Sequence, residues 1–115
     1  MKRRTLIQAT PWLVALPELA LAQANFPNRP LKYIVPVAAG GGSDMIGRQL
    51  CDRLGKALGQ PIVIDNKAGA AGNLGTEAVA RAKPDGNTLL MQYSGYHVGN
   101  PALFPQIKWN PTKDF

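Results

Sequence analysis

The sequence predicts an α/β protein built on a parallel βαβαβ sheet, and three observations support this class. Apolar segments rich in β-branched residues alternate with segments of helical periodicity, in the order strand, helix, strand, helix, strand. The first apolar segment is short and almost continuously apolar, as is typical of a strand buried on both faces. The helical segments are long enough to supply the crossovers that parallel strands need. A chain of 115 residues accommodates one such domain.

Residues 1–22 are predicted to be a secretory signal peptide. Three basic residues at positions 2–4 precede a mostly apolar stretch, and small residues place the cleavage point near Ala22 or Ala24. The stretch is too short and too often interrupted by polar residues and proline to favour a membrane span. The pair Arg3–Arg4 leaves both the Sec and the twin-arginine export routes open. We therefore expect an exported mature chain of residues 23–115.

Charge gives little support to a nucleic-acid partner. Cleavage of the signal peptide would lower the formal net charge from +6 to +4. The remaining basic residues are scattered singly through the chain, whereas a nucleic-acid surface usually clusters them. A mild positive charge suits a small anionic ligand.

The first strand, helix and second strand are predicted in the first half of the mature chain. Residues 31–37 form the strand and 38–42 a tight loop, after which Ser43 or Asp44 is expected to cap a helix ending at Gly59. The only cysteine, Cys51, is expected to be buried in the core. The buried face of this helix is predicted from apolar residues that recur every four positions, with small residues close to the same face. The recurring residues are Ile46, Leu50, Leu54 and Leu58, and the small ones are Gly47, Cys51 and Ala57. A second strand follows at 62–64.

The second half continues the alternation. Asn73 is expected to cap a helix that runs to about residue 82. The other predicted elements are a glycine-rich loop at 65–72, a turn at 83–87, a third strand at 88–93, a loop at 94–97 and a short helix at 100–104.

Three loops are predicted to meet at the carboxyl edge of the sheet, where parallel α/β proteins bind ligands. Residues 38–44 and 67–73 each place glycines before a helix N-terminus, and 94–97 lies in the third equivalent position. Free amide groups and the helix dipole favour an anion there, such as a carboxylate or a phosphate. A tight turn would explain either glycine-rich loop alone, but two in equivalent positions favour binding.

Motifs for nucleotide binding, metal binding and catalysis are missing. Gly42 is followed by Ser43 without the lysine of a phosphate-binding loop, and Met45 stands where the dinucleotide motif needs its third glycine. One histidine and one cysteine cannot build a typical zinc site, so we expect no metal and no cofactor. A triad of Ser43 or Ser94 with His97 and Asp44 is conceivable, but the GxSxG motif is absent. Binding is therefore favoured over catalysis.

Several motifs together resemble the substrate-binding proteins of tripartite tricarboxylate transporters, also called the Bug family. They are PLKYIVPVAAGGGSD at 30–44, GQPIVIDNKAGAAGNLGT at 59–76, KPDGNTLL at 83–90, NPALF at 100–104 and PTKDF at 111–115. The resemblance implies a periplasmic receptor that binds a small carboxylate and delivers it to the membrane components of a transporter. It also implies one set of ligand-binding residues: Ala39, Gly40, Gly41, Ser43, Asp44, Ala70, Gly72, Asn73, Ser94 and His97.

The resemblance further implies that the mature chain is incomplete relative to the family. Family members close two lobes around the ligand in a Venus-flytrap fold. Residues 23–115 would correspond to the N-terminal portion of the first solute-binding domain, with the second lobe absent. A truncated fragment of such a receptor that no longer binds ligand is the alternative interpretation.

Overall fold

A computed structural model describes residues 26–115, and these residues contain the predicted parallel sheet. Its strands are β1 (Leu31–Val35), β2 (Ile62–Asn66) and β3 (Thr88–Leu90), in the spatial order β2-β1-β3. Both pairings are parallel, and Val35 lies opposite Asn66 at the end of the β1–β2 ladder. The predicted signal peptide lies outside the described residues. The parallel α/β class is confirmed.

Three helices connect or follow the strands. They are α1 (Gly42–Leu58), α2 (Asn73–Ala80) and α3 (Ser94–Leu103), and a single 3-10 turn precedes α2 at Ala70–Gly72. Helix α1 packs against β1 and β2, whereas α2 packs against β1 and β3. Within residues 26–115, none of the helices has the length and apolar character needed to cross a membrane.

The central strand β1 carries the core. Tyr33, Ile34 and Val35 are all buried, and Tyr33 and Val35 cluster with Cys51 of α1. Side chains alternate between the two faces of a strand, so Ile34 lies on the face opposite Tyr33 and Val35. The burial of both faces agrees with the near-continuous apolar sequence of this strand. The prediction that Cys51 is a core residue is confirmed, and burial raises the pKa of its thiol.

The predicted buried face of α1 is right for Gly47 and Cys51, which are buried, and wrong for most of its large apolar residues. Ile46 and Leu50 are 61% and 47% exposed, and Leu58 is also exposed. The helix turns its small residues Gly47 and Cys51, rather than the large ones, towards the sheet, because small residues allow its backbone to approach closely. A Cβ atom at Gly47 would lie 3.5 Å from the Tyr33 ring and 3.6 Å from the Met91 sulfur. The periodicity of the large residues therefore predicted the helix but not its orientation.

Several element boundaries also differ from the prediction. β1 ends at Val35 and β3 at Leu90, and α2 ends at Ala80. Residues 94–97, predicted as a loop, form the first turn of α3, which continues through Pro101 to Leu103. Glycines and a proline give α3 low intrinsic helix propensity. The buried Asn100 side chain compensates by donating to the Ala71 carbonyl at 2.8 Å, so a tertiary contact supports this helix.

Candidate functional site

Three loops meet at the carboxyl edge of the sheet and are joined by side-chain contacts. We define the first loop as residues 36–41, the second as 67–72 and the third as 91–93. Asn66, at the end of β2, donates to the Val37 carbonyl of the first loop at 3.2 Å. The hydroxyl of Tyr93 in the third loop hydrogen-bonds that of Ser43 at the start of α1. These contacts hold the strand ends and the helix starts together as one surface.

Asp44 is buried beneath the first loop and all its contacts are internal. One carboxylate oxygen accepts from the Gly40 amide and from Arg48 Nε, both at 2.9 Å, and the other accepts from Asn66 Nδ2 at 3.0 Å. The hydrogen bonds from Arg48, Gly40 and Asn66 lower the pKa of Asp44 from 3.8 to about 2. Asp44 is thus an ionised group whose charge is satisfied within the protein.

None of the three helices has a side-chain cap at its N-terminus. The N-cap residues are Gly41 for α1, Gly72 for α2 and Tyr93 for α3. The predicted caps at Ser43 or Asp44 and at Asn73 are therefore wrong. First-turn amide groups that no side chain caps, together with the positive end of each helix dipole, are suited to an anion.

Asn73 is used to anchor the second loop. Its side-chain oxygen accepts two hydrogen bonds at 3.1 Å, one from Asn100 Nδ2 and one from Trp109 Nε1. These contacts tie the start of α2 to α3 and to the buried Trp109 in the C-terminal segment. This second role explains why Asn73 does not cap its own helix.

The second loop has an unusual left-handed backbone. Its four consecutive residues Gly69, Ala70, Ala71 and Gly72 have φ angles of 128°, 48°, 52° and 82°. For a residue with a Cβ this region costs about 1–2 kcal/mol. A Cβ at Gly72 would lie 2.5 Å from a ring carbon of Tyr96, so a close aromatic contact requires glycine there. Strained backbone of this kind is concentrated at functional sites.

The structure does not bring Ser94 and His97 into contact with the other predicted site residues. Ser94 is exposed at the first residue of α3. His97 stacks on Trp109 with ring centroids 5.5 Å apart and meets the edge of Phe115 at 5.3 Å, while its Nε2 lies 3.2 Å from the Pro111 carbonyl. His97 is therefore part of an aromatic cluster that supports α3. Because Ser43, Asp44 and His97 each contact different partners, the conceivable catalytic triad is not assembled.

The structure brings most of the predicted site residues to the carboxyl edge. Ala39, Gly40 and Gly41 lie in or beside the first loop, with Ser43 and Asp44 in the first turn of α1. Ala70 and Gly72 belong to the second loop, and Asn73 begins α2. Sequence reasoning missed Asn66, Tyr93 and Tyr96, which link the loops. Their position directly after β-rich segments was the available signal, since side chains at parallel strand ends meet at one edge.

A small cavity of about 20 Å³ lies at this edge, between the first and third loops, and is lined by Val35, Ser43 and Tyr93 among others. A cleft of about 590 Å³ lies between α1 and β2 and is lined by Cys51, Ile62 and Ile64 among others. A cleft of about 170 Å³ borders the second loop beside Ala70 and Asn73. Residues 26–115 contain no group of three metal-ligating side chains. The carboxyl edge thus presents backbone amides and aromatic side chains beside a small cavity.

Comparison with known proteins gives consistent matches. Residues 46–115 match the model of the family described as tripartite tricarboxylate transporter family receptor. The UPF0065 protein in the TAR-I ttuE-ttuC' intergenic region of Agrobacterium vitis is 42% identical over 103 residues, which are 87% of this chain and 29% of that protein. The chain thus spans less than a third of that curated relative.

Two solved structures are similar to the same region. MatC from Rhodopseudomonas palustris with bound malate has a TM-score of 0.73 and 44% identity, covering 78% of this chain and 31% of MatC. The periplasmic binding protein BugD has a TM-score of 0.74 and 39% identity, covering 78% of this chain and 30% of BugD. The sheet and its loops therefore have the fold of the corresponding part of these binding proteins.

Proposed function

The chain belongs to the tripartite tricarboxylate transporter receptor family, and from this premise we propose that it forms part of a periplasmic receptor for a small carboxylate. The similar protein MatC holds malate, which indicates the ligand class. Because the chain covers only part of its relatives, the activity of a whole receptor is proposed for it by similarity. The membrane components of a tripartite tricarboxylate transporter are the proposed partners, and the family is one of receptors rather than enzymes.

The observation that carries this proposal is the set of helix N-termini without side-chain caps at one edge of the sheet. Each helix end contributes a positive partial charge of about half an elementary charge. The amides of Gly41, Gly42 and Ser43 at α1 are the groups proposed to bind the carboxylate. Helix α2 contributes the positive end of its dipole only, because the amides of Gly72 and Asn73 already donate to the carbonyls of Gly69 and Ala70. Ala39, Gly40 and Ala70 border them. Ser94 lies exposed at the start of α3, and His97 acts at a distance through its stacking on Trp109, which donates to Asn73.

The environment of Gly41 and Gly42, at the start of α1, bears on how closely a ligand can approach the backbone. Gly42 has no atom within 4 Å of its would-be Cβ, and the nearest atom at Gly41 is the Ala38 carbonyl oxygen at 3.8 Å. Neither residue has a positive φ. Gly41 is also the N-cap of α1, a position that favours glycine over alanine. At Gly42 neither backbone conformation nor packing among the described residues requires glycine, so we attribute it to the close approach of a ligand to the backbone.

Nuclear magnetic resonance of the isotope-labelled chain tests the proposal. Malate, succinate and adipate are titrated to millimolar concentration, with succinamide as the neutral control. We expect the amide resonances of residues 41–44 and 72–74 to shift with the acids and to remain in place with succinamide. Equal shifts for acids and amide, or shifts confined to other regions, would contradict a carboxylate site at this edge.

Matched alanine substitutions locate the site. Gly42→Ala should leave the fold unchanged. It should weaken the malate affinity obtained from the titration about tenfold, because a methyl group obstructs the approach to the first-turn amides. Gly99→Ala, in the middle of α3 and equally open in structure, should leave the titration unchanged. Identical titrations for both variants would place the carboxylate elsewhere.

Export is tested separately. Residues 1–30 are fused to an alkaline phosphatase that lacks its own signal peptide, and we expect phosphatase activity in the periplasm. Replacing both arginines by lysine, Arg3→Lys and Arg4→Lys, should abolish export only if the twin-arginine route is used. A fusion that stays inactive in the cytoplasm would contradict the periplasmic location.

A further inference from the structure

Asn66 occupies the junction between the two glycine-rich loops. It is the last residue of β2, directly before the second loop, and its side chain reaches the first loop. The amide nitrogen lies 3.2 Å from the Val37 carbonyl and 3.0 Å from Asp44 Oδ1. The side-chain oxygen faces Arg48 Nη2 at 3.5 Å. Two acceptors on one side and a donor on the other fix which way the amide group points.

Asp44 completes the connection to the first loop. Its second oxygen accepts from the Gly40 amide at 2.9 Å. Gly40 has a φ of 86°, so the chain reverses at this residue, and the hydrogen bond fixes that reversal. Asp44 is only 2% exposed. Both of its oxygens already accept hydrogen bonds from the protein, and its negative charge would repel an anion brought into contact with it.

We propose that Asn66 and Asp44 are positioning residues, which hold the first loop in the conformation that presents the amides of Gly41 and Gly42. This inference rests on the proposed carboxylate function. It replaces direct ligand contact by Asp44 with an indirect role through Gly40. It also couples the two glycine-rich loops, because Asn66, which directly precedes the second loop, holds the first loop through its hydrogen bond to Val37.

The first experiment uses the unaltered chain without ligand. Hydrogen-bond scalar couplings should be detected from the Gly40 amide nitrogen to the carboxyl carbon of Asp44, and from the Asn66 side-chain nitrogen to the Val37 carbonyl carbon. The Gly40 amide should also exchange with solvent about ten times more slowly than the Gly41 amide. Absence of both couplings with fast exchange at Gly40 would overturn the proposal, whether or not the chain binds a carboxylate.

Substitutions then test the connection between the two side chains. Asn66→Asp keeps the shape but removes both donated hydrogen bonds, and it should accelerate exchange at Gly40 about tenfold. The double variant Asp44→Asn with Asn66→Asp swaps the two side chains and restores a hydrogen bond between positions 44 and 66. It should therefore recover part of the protection of the Gly40 amide against solvent exchange. Asn110→Asp makes the same chemical change in an exposed turn and should have no effect at Gly40. A folded Asn66→Asp variant with unchanged Gly40 exchange would overturn the proposal.

Titration with malate separates this inference from the function on which it rests. We expect Asn66→Asp to weaken malate binding about tenfold, with the Asn110→Asp control unchanged. A wild-type chain that binds no carboxylate but retains the Gly40 couplings would contradict the proposed function and leave the positioning contacts standing. Equal malate binding by wild type and Asn66→Asp would overturn the positioning role alone.

Discussion

Replacing Gly75 by alanine should destabilise the fold, although alanine is the better helix former. Gly75 lies in α2, where a Cβ would be 2.9 Å from Pro36 Cβ, 3.0 Å from Pro36 Cα and 3.1 Å from the Lys67 carbonyl oxygen. Two of these three atoms are backbone, so they cannot move aside without displacing a loop. Overpacking of this kind costs about 1–3 kcal/mol, against a gain of about 0.5–1 kcal/mol in helix propensity. The difference is a net loss of up to about 2.5 kcal/mol.

Gly99→Ala provides the matched control for this prediction. Gly99 lies in the middle of α3 with no atom within 4 Å of its would-be Cβ, so only the gain of about 0.5–1 kcal/mol applies. Thermal melts followed by circular dichroism should therefore move in opposite directions. For a domain of this size 1 kcal/mol corresponds to a change in Tm of about 4–8 °C. If both variants melt above the wild type, α2 does not approach the first and second loops as closely as the structure indicates.

Three further predictions concern the loops. Ala71→Gly should raise stability by about 0.5–1 kcal/mol in a thermal melt, since relief of left-handed strain exceeds the entropy that glycine adds to the unfolded chain; a loss of stability would contradict the strain. Asp44, whose pKa is about 2 in the folded chain and 3.8 ordinarily, stabilises the fold above pH 4, and this contribution is lost as the pH falls to 2. Urea unfolding at several pH values should therefore show less acid sensitivity in Asp44→Asn than in the wild type. Tyr93→Phe should cost about 1 kcal/mol in urea unfolding by removing its bond to Ser43, and adding Ser43→Ala should cost little more; additive losses would show that the two hydroxyls act independently.

The order and type of the main elements could be predicted because they follow from local patterns. A continuous apolar run predicted β1, and glycine and proline after Leu58 predicted the end of α1. The orientation of α1 could not be predicted from its large apolar residues. Small residues are needed where the helix lies against the sheet, at Gly47 and Cys51. At Gly47 this need is set by Tyr33 and Met91, which are distant in sequence. Packing against small residues overrides the periodicity of large ones.

The candidate site was predicted in part for a related reason. Glycine before a helix is visible in the sequence, whereas the contacts of Asn66 and Tyr93 depend on the alignment of neighbouring strand ends. Val35 pairs with Asn66 in the β1–β2 ladder, and a shift of one residue would turn the Asn66 side chain to the other face of the sheet. No local pattern carries that information, so these linking residues emerge only from the fold.

The glycines in the two glycine-rich loops and in the helices that follow them differ in what requires glycine, and this difference bears on binding. Gly72 and Gly75 are needed for packing, because a methyl group would collide with Tyr96 or with Pro36. Gly42 has open space around it and an ordinary helical position, where alanine would be favoured for stability. A residue that lowers stability without any packing reason is typical of a site where stability is exchanged for function. If Gly42→Ala raises Tm and also weakens malate binding, the first turn of α1 is a place where stability is lowered in favour of binding. A rise in Tm with unchanged malate binding would mean that Gly42 has no role in ligand recognition.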